Sequence, residues 1–207
     1  MSTTDRRTAI KTRHRQAIID AATALISEGG TARFSVDELA ARADVSRRTI
    51  FNHFASIDDV VTTACTHVLG IVIEDFRAAF SASPVEPGSR ASMFDAVTTA
   101  LRATDIPSVI AFLWQALGGF DAADQRPQQI FQATFSRTTD EIARELAQRH
   151  ADEDSLDAEL LVSSLMHGIE VIAHRWIAET GATTGADARA LWGRLLERLI
   201  TTIRTGY

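Results

Sequence analysis

Residues 35–54 read SVDELAARADVSRRTIFNHF, and they predict two short helices joined by a tight turn. Ser35 is followed three residues later by Glu38, which is the spacing of a capping box at the start of a helix. Ser46 is a favourable N-cap for the second helix. Asp44 falls at the turn between the helices, and Asp tolerates a left-handed backbone better than most residues do. The stretch is therefore predicted to form a helical hairpin.

The second helix of this hairpin, predicted over residues 47–54, has two different faces. Ile50, Phe51 and Phe54 are predicted to point inward, towards an apolar core. Four polar side chains are predicted on the outward face: Arg47, Arg48, Asn52 and His53. A short helix with cations and amides on its outer face fits the major groove of DNA, so the pattern predicts a helix-turn-helix. The alternative is an ordinary helical hairpin whose basic face is only solvated.

Residues 10–60 as a whole resemble the N-terminal DNA-binding domain of the TetR family of one-component bacterial regulators. The residues that carry the resemblance are Phe34–Ser35–Val36, Leu39–Ala40, Ala43, Val45–Ser46, Thr49–Phe54 and Asp58–Asp59–Val60. Four positions depart from the Gly, Tyr, Pro and Lys that the family often has: Asp44, Phe51, Ala55 and Ile57. The resemblance implies a DNA-binding regulator, most often a dimeric repressor that a small molecule releases from DNA.

The resemblance also implies which side chains contact DNA. The predicted set is Ser35, Ser46, Arg47, Arg48, Thr49, Asn52 and His53. Arg47 and Arg48 are expected to bind guanine in the major groove, and Thr49 adds a hydroxyl or a methyl contact. Three others are expected to hold phosphates and set the register: Ser35, Asn52 and His53. The predicted partner is a double-stranded, pseudo-palindromic operator whose half-sites lie about 34–36 Å apart.

Charge is divided unevenly along the chain. Its 207 residues carry a net charge of −6, but residues 1–57 hold nine Lys or Arg against six Asp or Glu, a balance of +3. The remaining residues balance at −9. A basic N-terminal part on an acidic body is typical of a nucleic-acid-binding head. The single cysteine, Cys65, and the lack of an apolar leader or membrane-length apolar run predict a cytoplasmic protein with no membrane partner.

The helical periodicity of the rest of the chain predicts an all-α fold with about nine helices. Gly29–Gly30 ends the first helix, and a long helix runs from Ile57 to about residue 80. Further helices are predicted at residues 91–103, 107–118, 127–150, 156–179 and 187–205. These elements predict a three-helix helix-turn-helix domain over residues 1–56, with a disordered arm at residues 1–9. A larger helical domain for ligand binding and dimerisation is predicted over residues 57–207.

The last two helices carry apolar stripes that are wider than a single core contact requires. Seven positions on them are predicted to form a homodimer interface: Leu161, Leu165, Gly168, Ile172, Leu195, Leu199 and Ile203. Gly168 is expected to allow close helix approach. In a twofold dimer the same surface serves both subunits, which gives a four-helix bundle. The alternative is one thick core within a monomer.

The middle helices are predicted to surround a chamber for a small-molecule effector, because aromatic walls with a few polar groups are typical of ligand sites. The predicted lining residues are Phe112, Trp114, Phe131, Phe135, His167 and Glu170. The aromatic side chains could instead fill core, which leaves a DNA-binding dimer that has no ligand or answers to a protein partner.

His167, Glu170 and His174 share one helix face at a spacing that suits a metal ion. A single helix rarely supplies a complete site, so no metal is predicted, and the three side chains could line the chamber or the rim of the dimer. No cofactor is predicted. The chain shows no set of nucleophile, base and orienting group, so a helical enzyme or carrier is the least favoured alternative.

Overall fold

The structure, a computed structural model, describes residues 3–30, 32–82, 90–119, 142–144, 146–148 and 155–205. Its helices are α1 Thr3–Gly29, α2 Val36–Arg42, α3 Arg47–His53, α4 Ile57–Ala82, α5 Arg90–Ala103, α6 Ile106–Ala116, α7 Ser155–Thr180 and α8 Ala186–Thr205. Residues 142–144 and 146–148 are also helical. The described residues contain no strand, which confirms the predicted all-α class.

The predicted helix bounds agree with α5 to α8 to within two residues at each end. The helix predicted at residues 127–150 lies mostly outside the described residues. The N-terminus differs, because residues 3–9 belong to α1 where the sequence predicted a disordered arm. Neither Gly nor Pro interrupts the sequence between Thr3 and Glu28, so no residue there breaks the helix.

Contacts divide the chain into two compact units. The first contains the described residues of Met1–Leu69 and Phe112–Ile130, and the second contains those of Gly70–Ala111 and Phe131–Tyr207. The long helix α4 contributes to both units. The predicted domain boundary between residues 56 and 57 stays a prediction. Among the described residues no single helix is long and apolar enough to cross a membrane. Two pairs of consecutive helices, each bent at the break between them, have the required length and composition when the two helices of the pair are combined.

The first unit has a core built by α1, α2, α3 and the start of α4. Ile18, Ala22 and Ile26 recur on one face of α1 and are fully buried. Against this face pack the buried residues Leu39, Ala40, Ala43, Ile50, Phe54, Val60 and Ala64. Burial of an Ile or Leu side chain contributes about 1.5–3 kcal/mol. The two short helices of the hairpin are therefore held by α1, and their outer faces remain exposed.

The second unit is organised around the pairing of α7 with α8, and α5 packs against both helices. Trp176 is fully buried, and its indole N–H donates a 2.7 Å hydrogen bond to the backbone oxygen of Ala188. The ring of Trp192 meets Trp176 edge to face at 6.0 Å between centroids. Such pairs combine a large buried apolar area with a favourable quadrupole contact, which fixes the register of the two helices.

Helix α7 approaches α8 closely at Gly168. A Cβ atom at this position would stand 2.2 Å from Cδ1 of Leu199 in the same chain. The predicted close approach at Gly168 therefore takes place inside one protomer.

Candidate nucleic-acid interface

The first helix of the hairpin begins with the predicted capping box. The side-chain oxygen of Ser35 accepts a 3.2 Å hydrogen bond from the backbone N–H of Glu38. In return, the backbone N–H of Ser35 donates to Oε2 of Glu38 at 2.7 Å, and the Ser35 hydroxyl donates to the same oxygen at 2.8 Å. These bonds lower the pKa of the Glu38 carboxyl. The start of α2 is thus satisfied by local contacts alone.

The turn between α2 and α3 has the left-handed residue that the sequence predicted. Asp44 has a φ of 51°, a conformation that Asp adopts more readily than most residues other than glycine. The next backbone N–H, of Val45, donates a 3.0 Å hydrogen bond to the oxygen of Ala40, and the Val45 side chain packs against the core. This Schellman-like closure sets the angle at which α3 leaves the turn.

Ser46 caps α3. Its Oγ accepts a 3.1 Å hydrogen bond from the backbone N–H of Thr49 and lies 2.8 Å from the Thr49 hydroxyl. Thr49 is half-buried, and its hydroxyl is occupied by the cap. Of the DNA-contact residues predicted here, Ser46 and Thr49 therefore hold the helix start in place.

The two faces of α3 are as predicted except at one residue. Ile50 is fully buried and Phe54 is 2% exposed, whereas Arg47, Arg48 and Asn52 are exposed. Phe51 was predicted to point inward, and this is wrong, because half of its surface is exposed. Residues 47 and 51 are four apart and share one helix face, so Phe51 lies beside the arginines rather than beside Ile50. The outer face of α3 is thus cationic with an aromatic side chain in its middle.

The two arginines of α3 differ in their partners. Nε of Arg47 lies 3.3 Å from Oδ1 of Asp37 on α2, and both side chains are mostly exposed. Arg48 is exposed and makes no ion pair with any residue that the structure describes. An exposed pair such as Arg47–Asp37 is worth at most about 1 kcal/mol, so an external anion can replace Asp37 at Arg47. Arg48 is available without that exchange.

The C-terminal end of α3 lies against α1. The rings of His53 and His14 meet edge to face at 6.4 Å between centroids. Cζ of Arg15 stands 4.7 Å from the ring centroid of Phe54. Burial lowers the pKa of His53, and the charges of Lys11, His14 and Arg15 lower it further. This end of α3 is therefore a region of concentrated positive potential.

The remaining predicted site residues fall in different places. Phe112 is buried and Trp114 half-buried in the first unit, whereas the second unit holds His167, which is exposed, and Glu170, which is half-buried. The predicted chamber therefore stays a prediction. Phe131 and Phe135 lie outside the described residues.

No group of three metal-binding side chains occurs within the described parts of the chain. Nδ1 of His167 contacts the backbone oxygen of Ser163 at 2.9 Å, and His174 is exposed. Cys65 is fully buried, and burial raises the pKa of its thiol to about 12. The thiolate is therefore disfavoured at neutral pH, which makes Cys65 unreactive.

The predicted dimer interface stays a prediction, and its seven residues differ in exposure within one chain. Leu165 is fully buried and Ile172 is 9% exposed within one chain, so neither is free to contact a second copy. The other five predicted residues are half-buried: Leu161, Gly168, Leu195, Leu199 and Ile203. The outward side of α7 instead carries Leu160, which is 56% exposed, and Val171, which is 68% exposed. A broad apolar pattern cannot show which edge of a helix its own chain covers.

The chain is similar to known proteins in sequence over residues 18–63 and in fold over most of its length. Residues 18–63 match the family described as bacterial regulatory proteins, tetR family. No curated protein matches the chain. A TetR-family transcriptional regulator from Mesorhizobium loti MAFF303099 has the same fold with a TM-score of 0.66 at 18% identity, over 93% of this chain and 97% of that one.

Two further solved structures share the fold. A transcriptional regulator from Pseudomonas aeruginosa PAO1 aligns with a TM-score of 0.56 at 22% identity, over 93% of this chain and 90% of that one. The regulator FadR from Bacillus subtilis, in complex with stearoyl-CoA, aligns with a TM-score of 0.55 at 19% identity, over 90% and 97% of the two chains. Because these identities are low, the similarity shows a common fold and nothing more specific.

The matched residues 18–63 contain the capped hairpin, its left-handed turn and the exposed basic face of α3. Residues 18–63 are therefore similar to bacterial regulatory proteins of the tetR family, and the chain shares the fold of solved transcriptional regulators.

Proposed function

We propose that this chain is a non-enzymatic, cytoplasmic, homodimeric repressor that leaves a pseudo-palindromic operator when a small molecule binds. The observation that carries the proposal is the outer face of α3, where Arg48 is exposed and unpaired among the described residues while Ile50 is buried beneath it. A helix anchored on one side and cationic on the other is suited to lie in the major groove.

Arg48 reads base edges, with bidentate contacts to guanine O6 and N7 as the favoured geometry. Arg47 joins it after exchanging Asp37 for DNA. Phe51 lies on the same face and supplies an apolar surface that suits a thymine methyl group. Asn52 and His53 contact phosphates, whereas Ser35 and Ser46 act mainly as caps, since the Ser35 hydroxyl already donates to Glu38.

A stripe on α7 is proposed as the centre of the dimer interface. Leu160, Ser164, His167 and Val171 follow one another at spacings of four, three and four residues, so they lie along one side of the helix. All four are exposed, and Leu160 and Val171 leave apolar surface in water. Covering it with the same stripe of a second copy satisfies the self-complementarity that a twofold axis requires.

Response to a small molecule is supported by what solved structures of the same fold hold. FadR from Bacillus subtilis is in complex with stearoyl-CoA, and the multidrug binding protein EbrR is complexed with imidazole. We propose that this chain also binds an organic ligand, with Trp114 as part of the wall. The second candidate, a DNA-binding dimer without a ligand, is favoured by the burial of Phe112, which is only 7% exposed and could simply fill core.

DNA reading is tested by selecting duplexes from a random pool with the full-length protein and measuring affinity by fluorescence anisotropy. The wild type should enrich a pseudo-palindrome. Arg48→Ala should cost about 1–3 kcal/mol on that duplex and relax one base position. Arg13→Ala removes one exposed charge outside α3 and serves as the control. An unchanged base preference in Arg48→Ala would show that Arg48 does not read bases.

Dimerisation is tested by sedimentation at micromolar concentration. The wild type should sediment as a dimer, and the double variant Leu160→Asp, Val171→Asp should be a monomer with an unchanged far-ultraviolet circular dichroism spectrum. Ile71→Asp, at a half-exposed apolar position on α4, is the control and should stay dimeric. A wild type that is monomeric under these conditions would rule out the dimer.

Ligand response and the sign of regulation need two further measurements. Thermal shift against a panel of acyl and aromatic compounds should raise the unfolding temperature for a binder, and Trp114→Ala should weaken that shift without changing DNA affinity in the absence of compound. In cells that lack the protein, transcripts adjoining the selected sequence should rise if it is a repressor and fall if it is an activator.

A further inference from the structure

We propose that four side chains at the junction of α1 and α3 form a binding site for one phosphate of the DNA backbone, and that the site takes up a proton when DNA binds: Lys11, His14, Arg15 and His53. This inference rests on the proposed function and assigns α1 a direct part in holding the operator. These four residues are called the phosphate site below.

The site is assembled by helix geometry. Lys11, His14 and Arg15 are spaced by three and four residues and share one face of α1, and the next residue on that face, Ile18, is buried in the core. The buried residue turns the three basic side chains towards α3. Arg15 is held by the ring of Phe54, and His14 meets His53 edge to face. Cation–π and ring contacts of this kind orient the side chains before a ligand arrives.

The phosphate site is positively charged, and no carboxylate in the described residues forms an ion pair with it. Lys11 and Arg15 are exposed, His14 and His53 are half-buried, and none of the four forms an ion pair with a carboxylate in the described ranges. Elsewhere in this unit arginines do find acids, as Arg42 does with Glu28 and Arg47 with Asp37. A cluster left without an acid is suited to an external anion, and phosphate is the anion that DNA presents.

The position of the site on α3 agrees with that ligand. Arg47 and His53 lie six residues apart, which is about 9 Å along the helix axis. The major groove is about 12 Å wide, so a short helix that reads bases with its first turn brings its last turn close to a wall of phosphates. Phosphate contacts at that wall fix the register of the reading helix. Lys11 and Arg15 would therefore grip the strand beside the bases that Arg48 reads.

Protonation of His53 makes the charge of the phosphate site depend on pH. Burial lowers its pKa in the free protein, and so do Lys11, His14 and Arg15 of α1. The other elements near α3 place their charges elsewhere: Asp37 on α2 pairs with Arg47, and Asp59 on α4 accepts a hydrogen bond from the backbone N–H of Ala55.

A bound phosphate favours the imidazolium of His53 and raises its pKa in the complex. The extra affinity is then fully present below the pKa of the free protein. It is lost as the pH rises through the pKa of the complex, by at most about tenfold per pH unit for each half-site.

The test measures affinity for the selected duplex and for a scrambled duplex as a function of salt and pH. Lys11→Ala should weaken both duplexes and reduce the slope of log K against log salt by about 0.9 for each half-site. Arg13→Ala removes the same charge two residues along α1, on another face, and should change the slope less. His53→Gln should bind with little change between pH 6 and pH 8, whereas the wild type tightens as the pH falls.

The outcomes separate this site from the proposed function. If the wild type enriches no sequence, the DNA-reading proposal fails. If the wild type enriches a sequence but Lys11→Ala and Arg13→Ala have the same salt slope, only the phosphate site is overturned. A wild-type pH profile in His53→Gln also overturns it. Lys11 is exposed and outside the core, so loss of folding is not expected, and the circular dichroism spectrum checks this.

Discussion

Two helix pairs in this protein are made in different ways. The α2–α3 hairpin consists of two seven-residue helices whose ends are closed by neighbouring side chains, namely Ser35 with Glu38 and Ser46 with Thr49. The α7–α8 pair consists of helices of 26 and 20 residues that meet through the Trp176–Trp192 contact and the approach of Leu199 to Gly168. The first pair depends on local hydrogen bonds and the second on distant packing.

The two ways of stabilising a helix pair leave different surfaces exposed. Short helices cannot be stable alone, so the hairpin is closed by caps, and its inner face packs against α1 and the start of α4. The other face remains exposed, and it is there that Arg48 and Phe51 stand. The long pair has broad apolar stripes, and it buries Leu165 and Ile172 while leaving Leu160 and Val171 in water. Each pair thus keeps one exposed face, cationic in the hairpin and apolar in α7.

The largest expected effect is on the packed pair. Trp176→Ala should lower the free energy of unfolding by about 3–5 kcal/mol, because a buried aromatic side chain is lost and the oxygen of Ala188 loses its donor. Urea unfolding followed by circular dichroism measures this. Phe51→Ala deletes an aromatic ring from the exposed face of the hairpin and should cost less than about 1 kcal/mol. Equal losses of unfolding free energy in the two variants would show that the two helix pairs do not differ in how much they depend on buried packing.

A smaller loss of stability is expected at Gly168, where α7 approaches α8. Gly168→Ala should destabilise by about 1–3 kcal/mol, because the added methyl group collides with the Leu199 side chain and forces it to move. Gly193→Ala lies in α8 with nothing within 4 Å of the added carbon, and it should stabilise by about 0.5–1 kcal/mol through helix propensity alone. Thermal unfolding of both variants decides the matter, and a gain in Gly168→Ala would show that the pair is loosely packed.

The smallest effect is expected at the cap of the hairpin. Ser35→Ala should cost about 0.5–2 kcal/mol, because the first turn of α2 loses its side-chain acceptor and Glu38 loses a donor. Ser27→Ala, at an exposed position in α1, is the control and should stay within about 0.5 kcal/mol of the wild type. Ser35→Ala that unfolds like the control would mean that the hairpin is set by its contacts with α1 rather than by its caps.

Sequence reasoning went furthest where structure is local. The capping box, the left-handed Asp44 and the Ser46 cap all follow from interactions between residues fewer than five positions apart, so they could be predicted from spacing alone. The all-α class and the bounds of α5 to α8 followed from periodicity and from Gly and Pro positions. Phe51 was missed because an aromatic residue beside buried ones has the same pattern whether it faces in or out.

Two features of the candidate sites could not be predicted from the sequence. The exposed Leu160 and Val171 differ by a single step along α7 from the half-buried Leu161 and the buried Ile172, and only the packing of α7 in the fold distinguishes them. The phosphate site joins His14 to His53 across 39 positions of sequence. A contact that distant depends on the angle between α1 and α3, which no local pattern encodes.

Local sequence patterns are sufficient to predict that this chain is helical, that residues 35–54 form a capped helix-turn-helix, and that its outer face is basic, because caps, turns and periodicity act over one or two helical turns. The packing of the helices, in contrast, controls which arginine keeps a free guanidinium, which edge of α7 remains in water, and which side chains of α1 lie near His53. These outcomes depend on how helices pack, and packing joins residues that are far apart along the chain.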